Sequence, residues 1–205
     1  MVVRLAALDG SAPHPHLLRL VRGGPAQRNL SDAVHALCAV HGHYPGMVED
    51  ALNQRAQPEA HDWLAAVADG FAAERGYLVQ LLAAVGPLPS TPGQSETATA
   101  LIAERQTLAI LARSERKGCA TGAVAALLCD WTPIRRVLDV AALRFGIEAQ
   151  PTALPPEAET ARTIATLGDS PSVERAIAFG AQQLFAQHRG LWSLLEARSS
   201  ARGDL

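Results

Sequence analysis

The chain lacks a surplus of charge of either sign, because the formal net charge of its 205 residues at pH 7 is only -2. Domains that bind nucleic acid usually carry a basic patch, and Lys117 is the only lysine here. Arg135 and Arg136 follow Pro133, but two arginines in a balanced chain are more typical of a solvated helix face than of a DNA-reading helix. We therefore expect no nucleic-acid partner.

Cysteine is also scarce, with Cys38, Cys119 and Cys129 well separated and no Cys-x-x-Cys pair among them. This spacing excludes the usual thiol motifs for zinc and redox chemistry, and we expect three small apolar residues in the core. No apolar run approaches the roughly 20 residues of a membrane helix. Asp9 and Gly10 interrupt the apolar start before it reaches the length of a secretory signal. We expect a soluble, cytoplasmic protein.

Aromatic residues make up only 4% of the chain, although 48% of its residues are hydrophobic. Many of the hydrophobic residues that are not aromatic are alanine, which has the highest intrinsic helix propensity. The β-branched and aromatic residues that favour strands do not cluster anywhere. The composition therefore predicts an all-α fold.

Apolar residues recur at intervals of three and four in four long segments, which is the pattern of helices that bury one face. The segments cover about residues 58–85, 92–117, 124–145 and 171–198. Pro133 interrupts the third segment and predicts a kink or a break. Short connections make consecutive helices antiparallel neighbours. We predict an antiparallel four-helix bundle core with short additional N-terminal helices.

The same reading divides the chain into three parts. An irregular N-terminal arm is predicted for residues 1–30, because prolines and glycines interrupt it. The helical bundle domain is predicted to span residues 31–198. The polar residues 199–205 are expected to form a frayed tail.

Four polar residues lie where an apolar seam would normally carry leucine. They are Glu74, Glu104, Asp130 and His188. At a rise of ~1.5 Å per residue, Glu74 and Glu104 stand about 17 and 18 Å from the turn that joins their helices, so they are expected to face each other. Burying such charges requires a counter-charge or a shared proton. We expect a buried carboxylate–arginine network, and the alternatives are exposure to solvent or a metal or catalytic role. The arginines within helical reach are Arg75, Arg105, Arg113 and Arg116.

Carboxylates at one level of a helical bundle resemble the ferritin-like di-iron proteins, over residues 58–198 at most. The resemblance implies a metal-dependent oxidoreductase in which iron or manganese is held by Glu74, Glu104, Asp130 and His188. The Glu-x-x-His pair that defines the di-iron members is absent, because neither glutamate is followed by histidine at that offset. The chain is therefore more similar to members of the fold that carry no metal.

A second candidate group consists of His35, His41 and His43, followed by Glu49 and Asp50. Histidine and carboxylate together form metal sites or acid–base pairs. The spacing matches no specific ligand motif. The same residues also suit a connection between two helices in which the histidines form local hydrogen bonds. Both interpretations stay open at the level of sequence.

The leading functional hypothesis is a bundle protein that binds a partner or a small ligand between its helices. Trp63, Trp131 and Trp192 are candidates to line such a pocket, although tryptophan at helical spacing is more often a core residue. Alanine-rich helix faces leave flat apolar surface, which favours a homodimer. The alternative hypothesis is the ferritin-like oxidoreductase.

Overall fold

The computed structural model describes residues 1–22, 24–88 and 93–203. Within these ranges the chain forms nine α-helices and no β-strand, which confirms the predicted all-α class. The helices are α1 Val2–Asp9, α2 Pro15–Val21, α3 Gln27–His41, α4 Met47–Gln54, α5 His61–Val85, α6 Gln94–Ala112, α7 Cys119–Phe145, α8 Glu157–Leu167 and α9 Pro171–Ala201. A 3-10 turn, Pro58–Ala60, leads into α5.

Helix α7 lies at the centre of the molecule and contacts each of the other eight helices. Every residue from Cys119 to Trp131 is buried, because this stretch is apolar or small on all sides except at Asp130. The kink or break expected at Pro133 does not end the helix, which continues to Phe145. Since proline removes only one backbone donor, the tight packing around α7 holds the helix together across it.

Helices α7 and α9 form the most extensive contact, and two glycines make their close approach possible. A side-chain carbon added at Gly122 would collide with the backbone of Ile177. The same addition at Gly180 would collide with the backbone carbonyl of Cys119. These close contacts hold the register of the two helices, and therefore the relative heights of the side chains they carry.

The N-terminal segment belongs to the packed body rather than forming an irregular arm. Helices α1 and α2 both pack on α7 and α9, and Leu17 and Leu20 are buried in the main core. Helices this short gain their stability from such burial rather than from propensity, so residues 1–30 showed little helical signal. At the other end, α9 continues to Ala201 and buries Ser199, beyond the predicted domain end at residue 198.

Helix α3 packs against α5, α6, α7 and α9, and its last residue, His41, reaches the interior. Helix α4 packs between α5 and α6. No helix in the described ranges is both long enough and apolar enough to cross a membrane. Cys119 and Cys129 are buried, Cys38 is partly buried, and none of the three forms a disulfide.

Candidate functional site

Three buried side chains from three helices form one hydrogen-bonded chain in the core. Asp130 comes from α7, His188 from α9 and His41 from the end of α3. His188 Nδ1 lies 2.6 Å from Asp130 Oδ2, and His188 Nε2 lies 3.1 Å from His41 Nε2. The first two residues are 1% exposed and His41 is 5% exposed. We call this group the Asp130–His188–His41 chain.

The turn after α1 anchors the carboxylate end of this chain. Ser11 donates its backbone N–H to Asp130 Oδ1 at 2.6 Å and its hydroxyl to Oδ2 at 2.5 Å. The indole of Trp192 donates to Ser11 Oγ at 2.7 Å. Because the indole can only donate, the Ser11 hydroxyl accepts from Trp192 and donates to Asp130. Asp130 therefore accepts three hydrogen bonds, the acceptor-only role of an ionised carboxylate.

These bonds determine which ring nitrogens carry protons. His188 donates from Nδ1 to the carboxylate, so in the neutral ring its Nε2 is the acceptor. His41 must then donate from Nε2 to His188, which leaves His41 Nδ1 with a lone pair. In the described part of the chain that nitrogen has no hydrogen-bond partner. Burial, and secondly the nearby His188, hold the pKa of His41 well below its ordinary value. His41 is therefore a neutral base at neutral pH.

Aromatic rings hold His41 in place. Its ring centroid lies 5.4 Å from that of Trp131 and 6.3 Å from that of Phe71, both in edge-on arrangements. Such contacts add to the packing energy of the ring and restrict its rotation. The apolar surroundings also make a positive charge on His41 costly.

Glu104 on α6 is a second unusual group in this region. It is 8% exposed, and its Oε1 has no hydrogen-bond partner within the described ranges. Burial raises the pKa of the Glu104 carboxyl to about 7, with a smaller opposing effect from His188. The carboxyl therefore changes its charge close to neutral pH, in electrostatic contact with the Asp130–His188–His41 chain.

Glu74 lies in a separate buried cluster. Arg135 Nη1 donates to both of its oxygens, at 2.8 and 2.7 Å, and Trp131 Nε1 donates to Oε2 at 2.9 Å. Glu74 is not among the groups that influence the pKa of Glu104. Its arginine partner comes from α7, whereas the arginines named from the sequence lie on α5, on α6 or just after α6. One of those, Arg75, forms its own buried ion pair with Glu49 at 2.6 Å.

The four candidate metal ligands thus separate into groups. Asp130 and His188 are in direct contact, Glu104 interacts with His188 through its charge, and Glu74 is neutralised by Arg135. Over residues 1–22, 24–88 and 93–203, no group of three or more histidine, cysteine, aspartate or glutamate side chains is arranged to hold a metal ion.

Among the cavities found in the described part of the chain, none has more than one of the three tryptophans in its wall. Trp131 and Trp192 are 1% and 0% exposed, and their indole nitrogens bond to Glu74 and Ser11. Trp63 is also buried, at the start of α5. Of the three, Trp131 contributes to the wall of a cavity, which lies next to Arg135 rather than beside α6.

Two cavities flank α6. The α3–α6 cavity has a volume of about 450 Å³ and lies between α3 and α6, with the C-terminal parts of α5 and α9 at its ends. The α4–α6 cavity, of about 350 Å³, lies between α4, α6 and the segment that follows α3. His43 borders both cavities, whereas His41 lines the α4–α6 cavity.

Sequence reasoning selected Asp130 and His188 correctly as buried polar residues, but it did not connect them to His41 or Ser11. His41 was assigned to a separate histidine group. Its position on the apolar face of α3 was the available signal, since that face also carries Val34 and Leu37. Ser11 carried no signal of its own, because it lies in a turn of the N-terminal segment.

Comparison with known families matches residues 6–203 to the model of a family of unknown function, DUF6975. The match covers almost the whole chain, so the protein belongs to this family. No curated protein and no solved structure matches the chain.

Proposed function

We propose that this protein binds a small, mainly apolar molecule in the α3–α6 cavity. The observation that carries the proposal is the size and lining of that cavity. Its volume of about 450 Å³ is within the range of small-molecule sites, roughly 300–1,000 Å³. Its apolar walls include Ala36, Ala39, Leu82, Leu101, Ile102 and Leu195.

Most polar groups at the edge of the α3–α6 cavity already have partners within the protein. Arg198 Nε lies 3.0 Å from Asp32 Oδ2. His35 Nε2 lies 2.9 Å from the carbonyl oxygen of Gly86. The hydroxyl of Thr97 donates to a backbone oxygen at the start of its own helix. A ligand therefore gains little from polar groups along most of its length, and the cavity favours apolar molecules.

Gln94 and His43 are the polar side chains of the cavity that make no hydrogen bond within the described part of the chain. They lie on different elements, Gln94 at the start of α6 and His43 after the end of α3. A single polar group on the ligand can bond to either one. The proposed ligand is thus an apolar molecule with at most a small polar head.

A substitution at the wall of the cavity tests this proposal. The neutral apolar dye N-phenylnaphthylamine becomes fluorescent in apolar sites, and we expect saturable binding with one dye per chain. Ala98→Phe places a ring at the cavity wall and should weaken binding by about tenfold or more, equivalent to about 1.4 kcal/mol. Ala103→Phe, also exposed on α6 but outside the cavity lining, is the matched control. Equal dye affinity in both variants would refute the assignment.

Two further expectations stay predictions. The antiparallel four-helix core is supported by the packing of α7 on α9, whereas the contacts of α3 with α5, α6, α7 and α9 favour a larger core. The metal-dependent oxidoreductase is the alternative proposal: Asp130 and His188 lie side by side, although their mutual hydrogen bond occupies one candidate ligand atom of each. Elemental analysis of protein purified without chelators tests it, and stoichiometric iron or manganese would favour it.

A further inference from the structure

We propose that the Asp130–His188–His41 chain is a proton relay, in which His41 acts as general base on a small organic substrate bound in the α4–α6 cavity. The reaction class is abstraction of an acidic proton. His41 is the catalytic residue in this proposal, and His188 and Asp130 are positioning residues. The proposal does not depend on ligand binding in the α3–α6 cavity.

The first argument is the orientation of His41. Its Nε2 is directed at His188 at 3.1 Å, and the side chain lines the α4–α6 cavity. Its other ring nitrogen, Nδ1, makes no hydrogen bond in the described ranges. His41 supplies the hydrogen bond that the buried Nε2 of His188 needs, and a side chain with a single polar group would have sufficed for that purpose. The addition of His41 leaves a basic nitrogen without a protein partner beside a cavity.

The second argument is that His188, paired with Asp130, can carry the positive charge that proton abstraction creates. A substrate proton is transferred to His41 Nδ1, and the proton on His41 Nε2 passes to His188 Nε2. The positive charge then resides on His188, whose Nδ1 lies 2.6 Å from Asp130 Oδ2. Among the apolar rings of Phe71 and Trp131, a cation on His41 itself would be costly. The relay replaces that cation with a hydrogen-bonded ion pair.

The third argument concerns the substrate. Arg105 and Gln106 line the cavity and make no side-chain hydrogen bond in the described part of the chain. Arg113, also in the lining, is paired with Asp50 at 3.1 Å. The two unpaired donors suit a substrate with an acceptor group, such as a carboxylate, a nitro group or a carbonyl. The cavity of about 350 Å³ accommodates a molecule of one or two rings.

Nitrobenzisoxazole is a suitable probe, because its ring opening requires only a base. The base removes the proton from the ring carbon, the carbon–nitrogen bond becomes a nitrile, and the nitrogen–oxygen bond breaks with its electron pair going to oxygen. The single product is a coloured phenolate that carries the nitrile. We expect the protein to accelerate this reaction about 100-fold or more over the same concentration of free imidazole. A rate equal to that of imidazole would overturn the proposal.

Variants separate the base from its supports. His41→Gln should remove the acceleration. Asp130→Asn should lower kcat by about tenfold or more with little change in KM, because Asp130 does not line the cavity and its amide can no longer orient His188. His61→Gln at the start of α5 lies in neither cavity and should retain the full rate. Retention of the full rate by His41→Gln would refute the role of His41.

The pH profile distinguishes His41 from its charged neighbours. The titratable group bonded to His41 is His188 on α9, which in turn contacts Asp130 on α7 and interacts with Glu104 on α6. The α4–α6 cavity that His41 lines adds the charged or titratable groups His43, Tyr44, Asp50, Arg105 and Arg113. The ring neighbours Phe71 and Trp131 are uncharged. Because the pKa of His41 is lowered, the rate should be constant across neutral pH and fall only in acid. A Glu104→Gln background removes any change caused by Glu104 near pH 7. A step near pH 7 that persists in this background would contradict a relay ending at His41.

Histidine nitrogen NMR on the unsubstituted protein tests the relay without relying on the folding of any variant. At neutral pH the long-range nitrogen–proton spectra should show a protonated Nδ1 on His188 and a protonated Nε2 on His41. The opposite tautomer on His41, with the lone pair on Nε2, would leave no base facing the cavity and would overturn the proposal.

Discussion

Replacing Glu104 with glutamine should stabilise the protein at neutral and alkaline pH. Burial raises the pKa of the Glu104 carboxyl from an ordinary value of 4.5 to about 7, and its Oε1 has no hydrogen-bond partner in the described ranges. The folded protein therefore retains a proton that the unfolded chain releases. Glutamine keeps the shape of the side chain and carries no charge at any pH.

The size and the pH range of the effect follow from the pKa. Below about pH 4.5 the carboxyl is protonated in both the folded and the unfolded protein, and it causes no penalty. Between about pH 4.5 and 7 the Glu104 carboxyl is ionised in the unfolded chain but still protonated in the folded protein. The free energy of unfolding therefore falls by about 1.4 kcal/mol for each pH unit. Above pH 7 the carboxyl is ionised in both states, and the total reduction in the free energy of unfolding is about 3 kcal/mol. Glu104→Gln should exceed the parent in stability by up to that amount at pH 8.

Urea unfolding at pH 4 and pH 8, followed by circular dichroism, measures this difference. The comparison of variant with parent isolates Glu104, because buried histidines such as His16 and His41, whose pKa values are lowered, titrate in both proteins. Glu115→Gln, on an exposed residue, is the matched control and should change stability by less than about 0.5 kcal/mol at either pH. A Glu104→Gln variant less stable than the parent at pH 8 would show that the ionised carboxylate has a cationic partner, and would refute the reasoning.

Two other predictions concern the buried arginine pair and the oligomeric state. Arg135→Met leaves the Glu74 carboxylate, which is 1% exposed, without its cation. This substitution should lower the free energy of unfolding in urea by about 3–5 kcal/mol. Arg19→Met, in the exposed pair with Glu196, should lower it by about 1 kcal/mol or less. An equal loss in both variants would contradict a buried pair. Sedimentation at micromolar concentration should show a homodimer, because large apolar side chains such as Ile110 and Leu143 are 74% and 84% exposed, and a monomer throughout would refute this prediction.

Local patterns predicted the helices because helix formation depends on residues three and four apart. The long helices were anticipated from the spacing of their leucines, and the last one begins at Pro171, as predicted, with Ser170 as its cap. The start of α3 was less visible, since the helix begins at Gln27, inside the segment 1–30 that was predicted to be irregular. The predicted start of the second long segment, at about residue 92, lies outside the described residues.

The partners of the buried polar residues could not be derived in the same way, because they depend on the register between helices. Glu74 and Glu104 were expected to face each other across a direct contact of two consecutive helices. In the structure α3 and α4 each pack against both α5 and α6. Glu74 is instead turned towards Arg135 on α7, which no count of residues along α5 or α6 can indicate.

The Asp130–His188–His41 chain depends on parts of the molecule that are far apart in sequence. The close contact of Gly122 and Gly180 with the opposite helix holds the heights of α7 and α9, and thereby places Asp130 beside His188. Ser11 donates two hydrogen bonds to the same carboxylate. His188 donates the third from Nδ1, which leaves its Nε2 as an acceptor. That nitrogen accepts a hydrogen bond from Nε2 of His41. The lone pair that remains is on Nδ1 of His41, a residue that lines the α4–α6 cavity. In such a buried network the same hydrogen bonds stabilise the core and activate the base. Loss of the Asp130 charge should therefore lower both the rate of proton transfer and the stability of the fold.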